Sequence, residues 1–288
     1  MSSSLLITQT LNSLAMGGVL FILSSGFSLI FGLMRVANFA HGALFMLGAY
    51  VGVEVMARSN SFLVAVVVGA LAVSVLGAMI ERTLLRRLAG QPLAQVLATL
   101  GVAFVVADGC LWYWGGDPRT VSAPPLLSGG TSLGIAMFPT YRLALIAFGL
   151  LSALILWALL NRTRIGVSIR ASVDDLQMAR GIGVPASTLF TAVFALGCAL
   201  AGMGGVLASP ILSVSPGMDH EMLPLALAVV ILGGMGSLVG ALVGSFVIGA
   251  IYSVGQVAFP ELAYVVLFVP MVAILALRPR GLFGRVAT

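Results

Sequence analysis

The residues with the clearest capacity for chemistry form one polar stretch in the middle of the chain, from Arg162 to Val184. This stretch carries four arginines and the acidic pair Asp174 and Asp175, and apolar runs of membrane-spanning length flank it on both sides. A charged segment held at a membrane surface is suited to docking a soluble protein rather than to catalysis. The alternative is a basic loop that only fixes the topology of the chain.

The same stretch has the periodicity of a helix. Arg170 and Asp174 have the spacing of an ion pair along a helix. Glycines at 166, 181 and 183 bound the pattern. Apolar residues recur on one face, which predicts a single helix of about three turns: Val167, Ala171, Met178 and Ile182.

A second polar group, Arg35, Asn38 and His41, lies within seven residues near the start of the chain. Such side chains are costly inside a membrane, so they should face protein, headgroups or water. They could form a gate or pathway element, or a cytoplasmic turn with Arg35 at the lipid headgroups. We favour a structural turn near the inner mouth, with no evidence for direct substrate contact. Asp108, beside the aromatic belt that ends at Trp114, could line an outer vestibule or sit among lipid headgroups.

Catalytic patterns are missing from the sequence. The predicted spans have no acid or base at a clear midpoint, and there is no P-loop, HExxH motif or nucleophile elbow. A proton-coupled carrier or an intramembrane enzyme usually needs such groups, so the driving force should come from elsewhere. Cys110 and Cys198 are far apart and lack metal-ligand spacing, so we expect no disulfide, metal or cofactor.

Composition sets the fold class. Of 288 residues, 60% are hydrophobic and 8% charged, against about 25% charged in soluble domains. This predicts an all-α polytopic membrane protein in which residues 1–288 form one domain, with a surface loop at 161–184 and an external loop at 114–141. The 35 glycines predict a tightly packed bundle. The net charge of +5 does not indicate nucleic-acid binding, because the arginines cluster at predicted membrane edges.

Hydropathy predicts eight or nine spans, and the short seventh segment decides which. The first run lacks a basic leader and a cleavage site, so we expect it to be retained. The predicted segments are Ile7–Leu33, Phe39–Met56, Phe62–Ile80, Leu93–Tyr113, Leu143–Leu160, Ala186–Leu207, Leu223–Leu232, Ala241–Phe259 and Tyr264–Leu277.

Arginine bias predicts the orientation. With nine crossings, eleven arginines fall on the cytoplasmic side and only Arg58, Arg119 and Arg142 fall outside. The N-terminus is then outside and the C-terminus is cytoplasmic.

Several motifs resemble those of the permease subunits of branched-chain amino acid ABC transporters. They are GLMRVANFAHGALFMLGAY from Gly32, ERTLLRRL from Glu81, QVLATLGVAFVV from Gln95, GGMGSLVGALVG from Gly233, and GVSIRASVDDLQMARGIGV from Gly166. The resemblance covers nearly the whole chain, and its length is that of the shorter of the two permease types. One departure is the pair Gly181 and Ile182, where the family more often has two bulky residues.

The resemblance implies an importer permease in the bacterial inner membrane, with ATP hydrolysis on partner subunits and none in this chain. The implied partners are a second related permease, two cytoplasmic ATP-binding subunits, a solute-binding protein on the outer side and the lipid bilayer. The mid-chain stretch becomes the segment that couples to the ATPase, through Gly166, Arg170, Ala171, Asp174, Asp175, Ala179, Arg180 and Gly183.

The substrate stays open between branched-chain or other hydrophobic amino acids, urea and short amides. Whether the permeases form a heterodimer or a homodimer is also open. A stand-alone secondary carrier or channel is the alternative from a different class, and it would transport without nucleotide-binding partners. Candidates for the pathway are polar residues in or near the predicted spans: Asn12, Ser24, Ser28, Asn38, His41 and Thr99.

Overall fold

The computed structural model describes residues 3–132, 137–258, 262, 268–269, 271–273, 276–278 and 281–284 of the chain. This part is built mainly of helices, with one small antiparallel hairpin. The helices are α1 Ser3–Met34, α2 His41–Ser59, α3 Phe62–Thr83, α4 Pro92–Trp114, α5 Thr140–Arg162, α6 Arg164–Asp174, α7 Leu176–Gly181, α8 Ala186–Ala208, α9 Met218–Gly233 and α10 Leu238–Ala258. Short 3-10 turns cover Leu85–Leu88 and Pro125–Leu127, and the hairpin joins β1 Gly130–Ser132 to β2 Met137–Pro139.

Within the described residues, six helices are long and apolar enough to cross a membrane: α1, α3 with the turn after it, α4, α5, α8 and α10. Their bounds agree with the predicted spans to within a few residues. The predicted second and seventh spans correspond to α2 and α9, which fall outside this set. Most of the predicted ninth span, Tyr264–Leu277, lies outside the described residues. The count of eight or nine crossings therefore stays a prediction.

Helices α1 and α8 form the centre of the bundle because glycines let their backbones touch. A Cβ atom added at Gly26 of α1 would lie 2.4 Å from the carbonyl oxygen of Gly197 in α8. One added at Gly48 of α2 would lie 2.4 Å from the Cα of Gly202. Such close approach favours helix association in lipid. Lipid tails are as apolar as the helices, so there is no hydrophobic driving force for the helices to associate. We call these two contacts the glycine seam.

Helix α2 begins inside the bundle rather than at its surface. The His41 ring nitrogen Nε2 lies 2.9 Å from the Leu23 carbonyl oxygen, and Leu23 is about 16 Å along α1 from Met34. Residues 35–40 are not helical, and they lead from the end of α1 back into the bundle. The favoured turn is present at residues 39–40, and its position relative to the membrane stays a prediction. Irregular backbone at such depth is tolerated only where protein or a cavity surrounds it.

Helix α9 packs its first turn beside the first turn of α2. A Cβ added at Gly42 would meet the Asp219 carbonyl oxygen at 2.7 Å and the Leu223 Cβ at 2.9 Å. The Asp219 residue is 6% exposed. Both helices thus start beside other protein segments.

The two ends of the bundle differ. At one end, Gly32 packs against Gly236, and Arg35, Arg86 and Arg180 line a common cleft. We call this the cleft end. At the other, hairpin end, Arg119 and Val214 exchange backbone hydrogen bonds of 2.8 and 2.9 Å. Three of the arginines that were predicted to share one side of the membrane therefore line one cleft.

Candidate functional site

Residues 161–184, called the coupling segment after their predicted role, leave the bundle at the cleft end as two short helices rather than one. Thr163 caps α6, because its Oγ1 accepts a hydrogen bond from the Gly166 amide at 3.1 Å. Asp175 has an extended backbone (φ −148°) and ends that helix. Its Oδ1 accepts from the amides of Gln177 and Met178, both at 2.9 Å, and so starts α7. The prediction of one continuous helix was therefore wrong.

Apolar side chains seat the segment on the bundle. Ile169 of α6 is 5% exposed and packs in a buried cluster with Leu33 of α1 and Leu189 and Val193 of α8. At Gly166, an added Cβ would lie 2.2 Å from the Leu160 carbonyl oxygen, so only glycine lets α6 turn away from α5. Ile169 therefore attaches α6 to both α1 and α8.

The outward surface of the segment exposes both apolar and charged side chains. Four large apolar side chains are more than half exposed there: Ile165 56%, Val167 56%, Met178 64% and Ile182 71%. Arg164, Asp174 and Arg180 are exposed beside them. Large apolar side chains exposed on a polar connecting segment are a feature of surfaces that contact protein or membrane.

A cleft of about 620 Å³ separates the segment from the start of the α3–α4 connection. One wall comes from residues 172–177 and Arg180, and another from residues 81–95. The end of α1 and the two residues after it, from Gly32 to Val36, also line the cleft, and Ser187 and Phe190 of α8 complete the lining. The cleft thus leaves open space between the segment and the α3–α4 connection.

The structure brings the predicted coupling residues together, with differences in exposure. Gly166 and Ala179 are buried, and Arg170 and Ala171 are partly buried. The predicted ion pair between Arg170 and Asp174 was wrong, because the two are not within 4 Å. Arg170 instead buries Nη1 without a hydrogen-bond partner among the described residues. The exposed members are Asp174, Asp175, Arg180 and Gly183, the last with a left-handed φ of +90°.

The pathway candidates lie elsewhere, and none of them lines the cleft. His41 is fully buried and packs edge-on against the Phe27 ring. Thr99 Oγ1 accepts from the Phe39 amide at 3.3 Å and so ties α4 to the chain before α2. Asn12 accepts a hydrogen bond from Arg142 towards the hairpin end. The remaining three candidates are buried: Ser24, Ser28 and Asn38.

Three of these residues bury polar atoms that have no hydrogen-bond partner in the described part of the chain: Ser24 Oγ, Asn38 Nδ2 and His41 Nδ1. Asn38 belongs to the non-helical chain before α2, and His41 is the first residue of that helix. Asp108, the other acid considered from the sequence, is exposed on α4, one turn before Trp112. No group of three His, Cys, Asp or Glu side chains that could hold a metal occurs among the described residues.

Sequence reasoning missed a polar network at the cleft. In the sequence, Glu81 is noted only as the first residue of the ERTLLRRL motif. In the structure, Glu81 is 1% exposed. It pairs with Arg86 at 3.2 Å and accepts a hydrogen bond from Thr191 Oγ1 at 2.6 Å. The available signal was an acid directly before three arginines, which is unusual at a basic membrane edge.

Six membrane-length helices around a glycine-packed centre define a multi-pass membrane protein. Residues 9–275 match the family described as "Branched-chain amino acid transport system / permease component". That range covers most of the chain, so the chain belongs to this family of transport permeases.

Named relatives agree with the family. The high-affinity branched-chain amino acid transport system permease protein BraD of Pseudomonas aeruginosa is 26% identical, over 96% of this chain and 95% of its own length. The Escherichia coli LivH protein, described in the same words, is 27% identical over the same shares of each chain.

One solved structure was also matched: PsaBC from Streptococcus pneumoniae in complex with Fab, at 14% identity and a TM-score of 0.49, covers 92% of this chain and 89% of the other. That similarity is too low to support an argument.

Proposed function

We propose that this chain is a permease subunit of an ATP-binding-cassette importer for branched-chain and other hydrophobic amino acids. The observation that carries the proposal is the coupling segment, an apolar and charged surface outside the bundle that is seated directly on its two central helices. The substrate class comes from the names of the relatives BraD and LivH. ATP hydrolysis takes place on partner subunits.

The proposed topology has nine crossings in the bacterial inner membrane, with the N-terminus outside and the cleft end in the cytoplasm. Arginine bias supports it, because Arg35, Arg86 and Arg180 meet at the cleft end. In this arrangement residues 114–141 form an external loop, and residues 161–184 face the cytosol. All of residues 1–288 belong to one transmembrane domain.

The proposed assembly contains this permease, a second related permease, two ATP-binding subunits and a solute-binding protein that delivers the substrate from outside. The coupling residues are those of the segment, with Arg180 and Asp174 exposed to the ATPase and Asp175 holding α7 in place. Buried residues such as Gly166 and Ala179 shape the segment rather than touch the partner. Asn12, Ser24, Ser28, Asn38, His41 and Thr99 are proposed to act along the transport route.

Two variants test the docking surface. Met178→Asp places a charge in the apolar part of the segment, and Leu126→Asp does the same at a 95% exposed side chain of the external loop. Each is co-expressed with the ATP-binding subunits, purified in detergent and reconstituted with the solute-binding protein. We expect Met178→Asp to reduce recovery of the ATPase with the permease by at least about tenfold, since buried apolar contacts dominate interfaces.

Leucine uptake should fall with that recovery, whereas Leu126→Asp should match the unchanged protein in both assays. Equal ATPase recovery for both variants would contradict the docking surface. Uptake by the permease alone, without nucleotide or partner subunits, would instead support a stand-alone carrier. Uptake of urea or short amides in preference to leucine would keep the importer and change its substrate.

A further inference from the structure

Glu81, Arg86 and Thr191 form a hydrogen-bonded network between the end of α3 and the start of α8. Arg86 Nη2 donates to Thr191 Oγ1 at 2.7 Å and to the Ser187 carbonyl oxygen at 3.0 Å. It also contacts Glu81 Oε2 at 3.2 Å, and Thr191 Oγ1 donates to the same oxygen at 2.6 Å. The Glu81 side chain is 2% exposed and that of Arg86 is 42% exposed.

The network uses a different face of α8 from the one that packs against α6, although Glu81, Arg86 and Ser187 also line the cleft beside the segment. Leu189 and Val193 hold Ile169 of α6, whereas Ser187 and Thr191 hold α3. Residues two apart on a helix point about 200° away from each other. The first two turns of α8 therefore contact α6 on one face, and the end of α3 on another face. They begin only five residues after α7 ends.

Packing alone does not require this network. Further along the same two helices, a Cβ added at Gly77 would meet the Cys198 Cβ at 2.6 Å, and one at Gly202 would meet the Gly69 carbonyl oxygen at 2.9 Å. Glycine contacts thus already hold α3 and α8 together. The polar network occurs where the helices reach the cleft, and buried ion pairs are a poor source of stability compared with apolar side chains.

We propose that Glu81, Arg86 and Thr191 are positioning residues for energy coupling. They make the end of α3 follow α8 when the ATPase displaces the segment, so that one movement reaches two helices of the bundle. The inference rests on the proposed function of the segment and extends it to residues outside residues 161–184. The cleft wall formed by residues 81–95 moves with α8 for the same reason.

Matched variants of the assembled importer test the proposal. Arg86→Gln and Thr191→Val remove the network, while Arg82→Gln removes a neighbouring exposed arginine, and Thr191→Ser keeps the hydroxyl. Leucine uptake and ATP hydrolysis are measured in the same proteoliposomes. We expect the amount transported per ATP hydrolysed to fall by at least about tenfold in the first two variants. Arg82→Gln and Thr191→Ser should keep the unchanged ratio.

An unchanged ratio in Arg86→Gln and Thr191→Val, with the control variants also normal, would overturn the positioning role and leave the proposed function intact. Absence of ATP-driven uptake in the unchanged importer would instead contradict the proposed function. The two failures are therefore distinguishable.

A distance measurement covers the case in which Arg86→Gln does not fold. Spin labels are attached to cysteines placed at the exposed positions Arg82 and Thr188, since Cys110 and Cys198 are buried. We expect the distance between the labels to be the same with and without trapped nucleotide, and to change with nucleotide once Thr191→Val is added. A nucleotide-dependent distance in the protein with an intact network would overturn the proposal.

Discussion

The glycine seam and the coupling segment are two opposite solutions to attaching a helix. In the seam, Gly26 and Gly48 bring backbone against backbone, with no side chain between the helices. In the segment, Ile169 is the one large apolar side chain of α6 that is fully buried, and an open cleft lies beside the helix. Polar residues are buried next to the seam, whereas the segment exposes large apolar ones.

The difference separates a rigid part of the molecule from a movable one. Close-packed backbones have no alternative arrangement at similar free energy, so the central helices should move as one body. A short segment held by few buried contacts opens locally at low free-energy cost. Energy delivered to the segment can therefore displace it first and reach the bundle afterwards, through α8.

The largest expected effect comes from adding one methyl group to the seam. In Gly48→Ala the Cβ would lie 2.4 to 2.8 Å from three backbone atoms of Gly202. Backbone cannot rotate aside as a side chain can, so α2 and α8 must separate. We expect a loss of about 3 kcal/mol in the free energy of unfolding, measured by denaturant titration in detergent.

Gly101→Ala is the matched control, because a Cβ at Gly101 of α4 would have no neighbour within 4 Å. Its free energy of unfolding should not fall. If both variants unfold alike, the seam is not the rigid part that the comparison requires.

Much of the fold follows from the sequence because apolar runs of about 20 residues need only a membrane to become helices. The run predicted from Ala186 to Leu207 forms α8, Ala186–Ala208. Hydropathy does not show how far inside the bundle a helix begins. The start of α2 depends on a contact between His41 and Leu23, and that contact joins residues from different helices.

The site was predictable as a region but not in its detail. Charge and periodicity locate the segment, because a polar stretch between spans must leave the bundle. The break at Asp175 was missed, since an aspartate suits both a helix surface and an N-cap. The role of Glu81 was missed for a different reason: its partner Thr191 lies 110 residues away.

An effect confined to the segment, and therefore smaller for the bundle as a whole, is expected from weakening the contact between α6 and the bundle. Ile169→Ala removes the α6 side chain that packs against Leu33, Leu189 and Val193. Truncating a buried isoleucine lowers stability by about 2–5 kcal/mol. Here the loss weakens the attachment of the segment to the bundle. We expect faster hydrogen exchange across α6, with protection of α8 unchanged, and loss of leucine uptake.

Ile165→Ala is its control, because that side chain is 56% exposed on the outward surface. It should leave hydrogen exchange in α6 as it is. Faster exchange in α8 as well as α6 after Ile169→Ala would show that segment and bundle are a single rigid unit, and would remove the contrast.

The smallest effect tests the cap within the segment. Asp175→Ala removes the carboxylate that accepts from the amides of Gln177 and Met178, a loss of about 1 kcal/mol. The two amides should exchange about fivefold faster, since that free energy corresponds to such a factor. Asp175→Asn should retain slow exchange because asparagine caps equally well. Asp174→Ala, at an adjacent exposed acid, should change neither amide. If Asp174→Ala has the larger effect, charge rather than capping stabilises α7, and the exposed surface and the cap are not separate features of the segment.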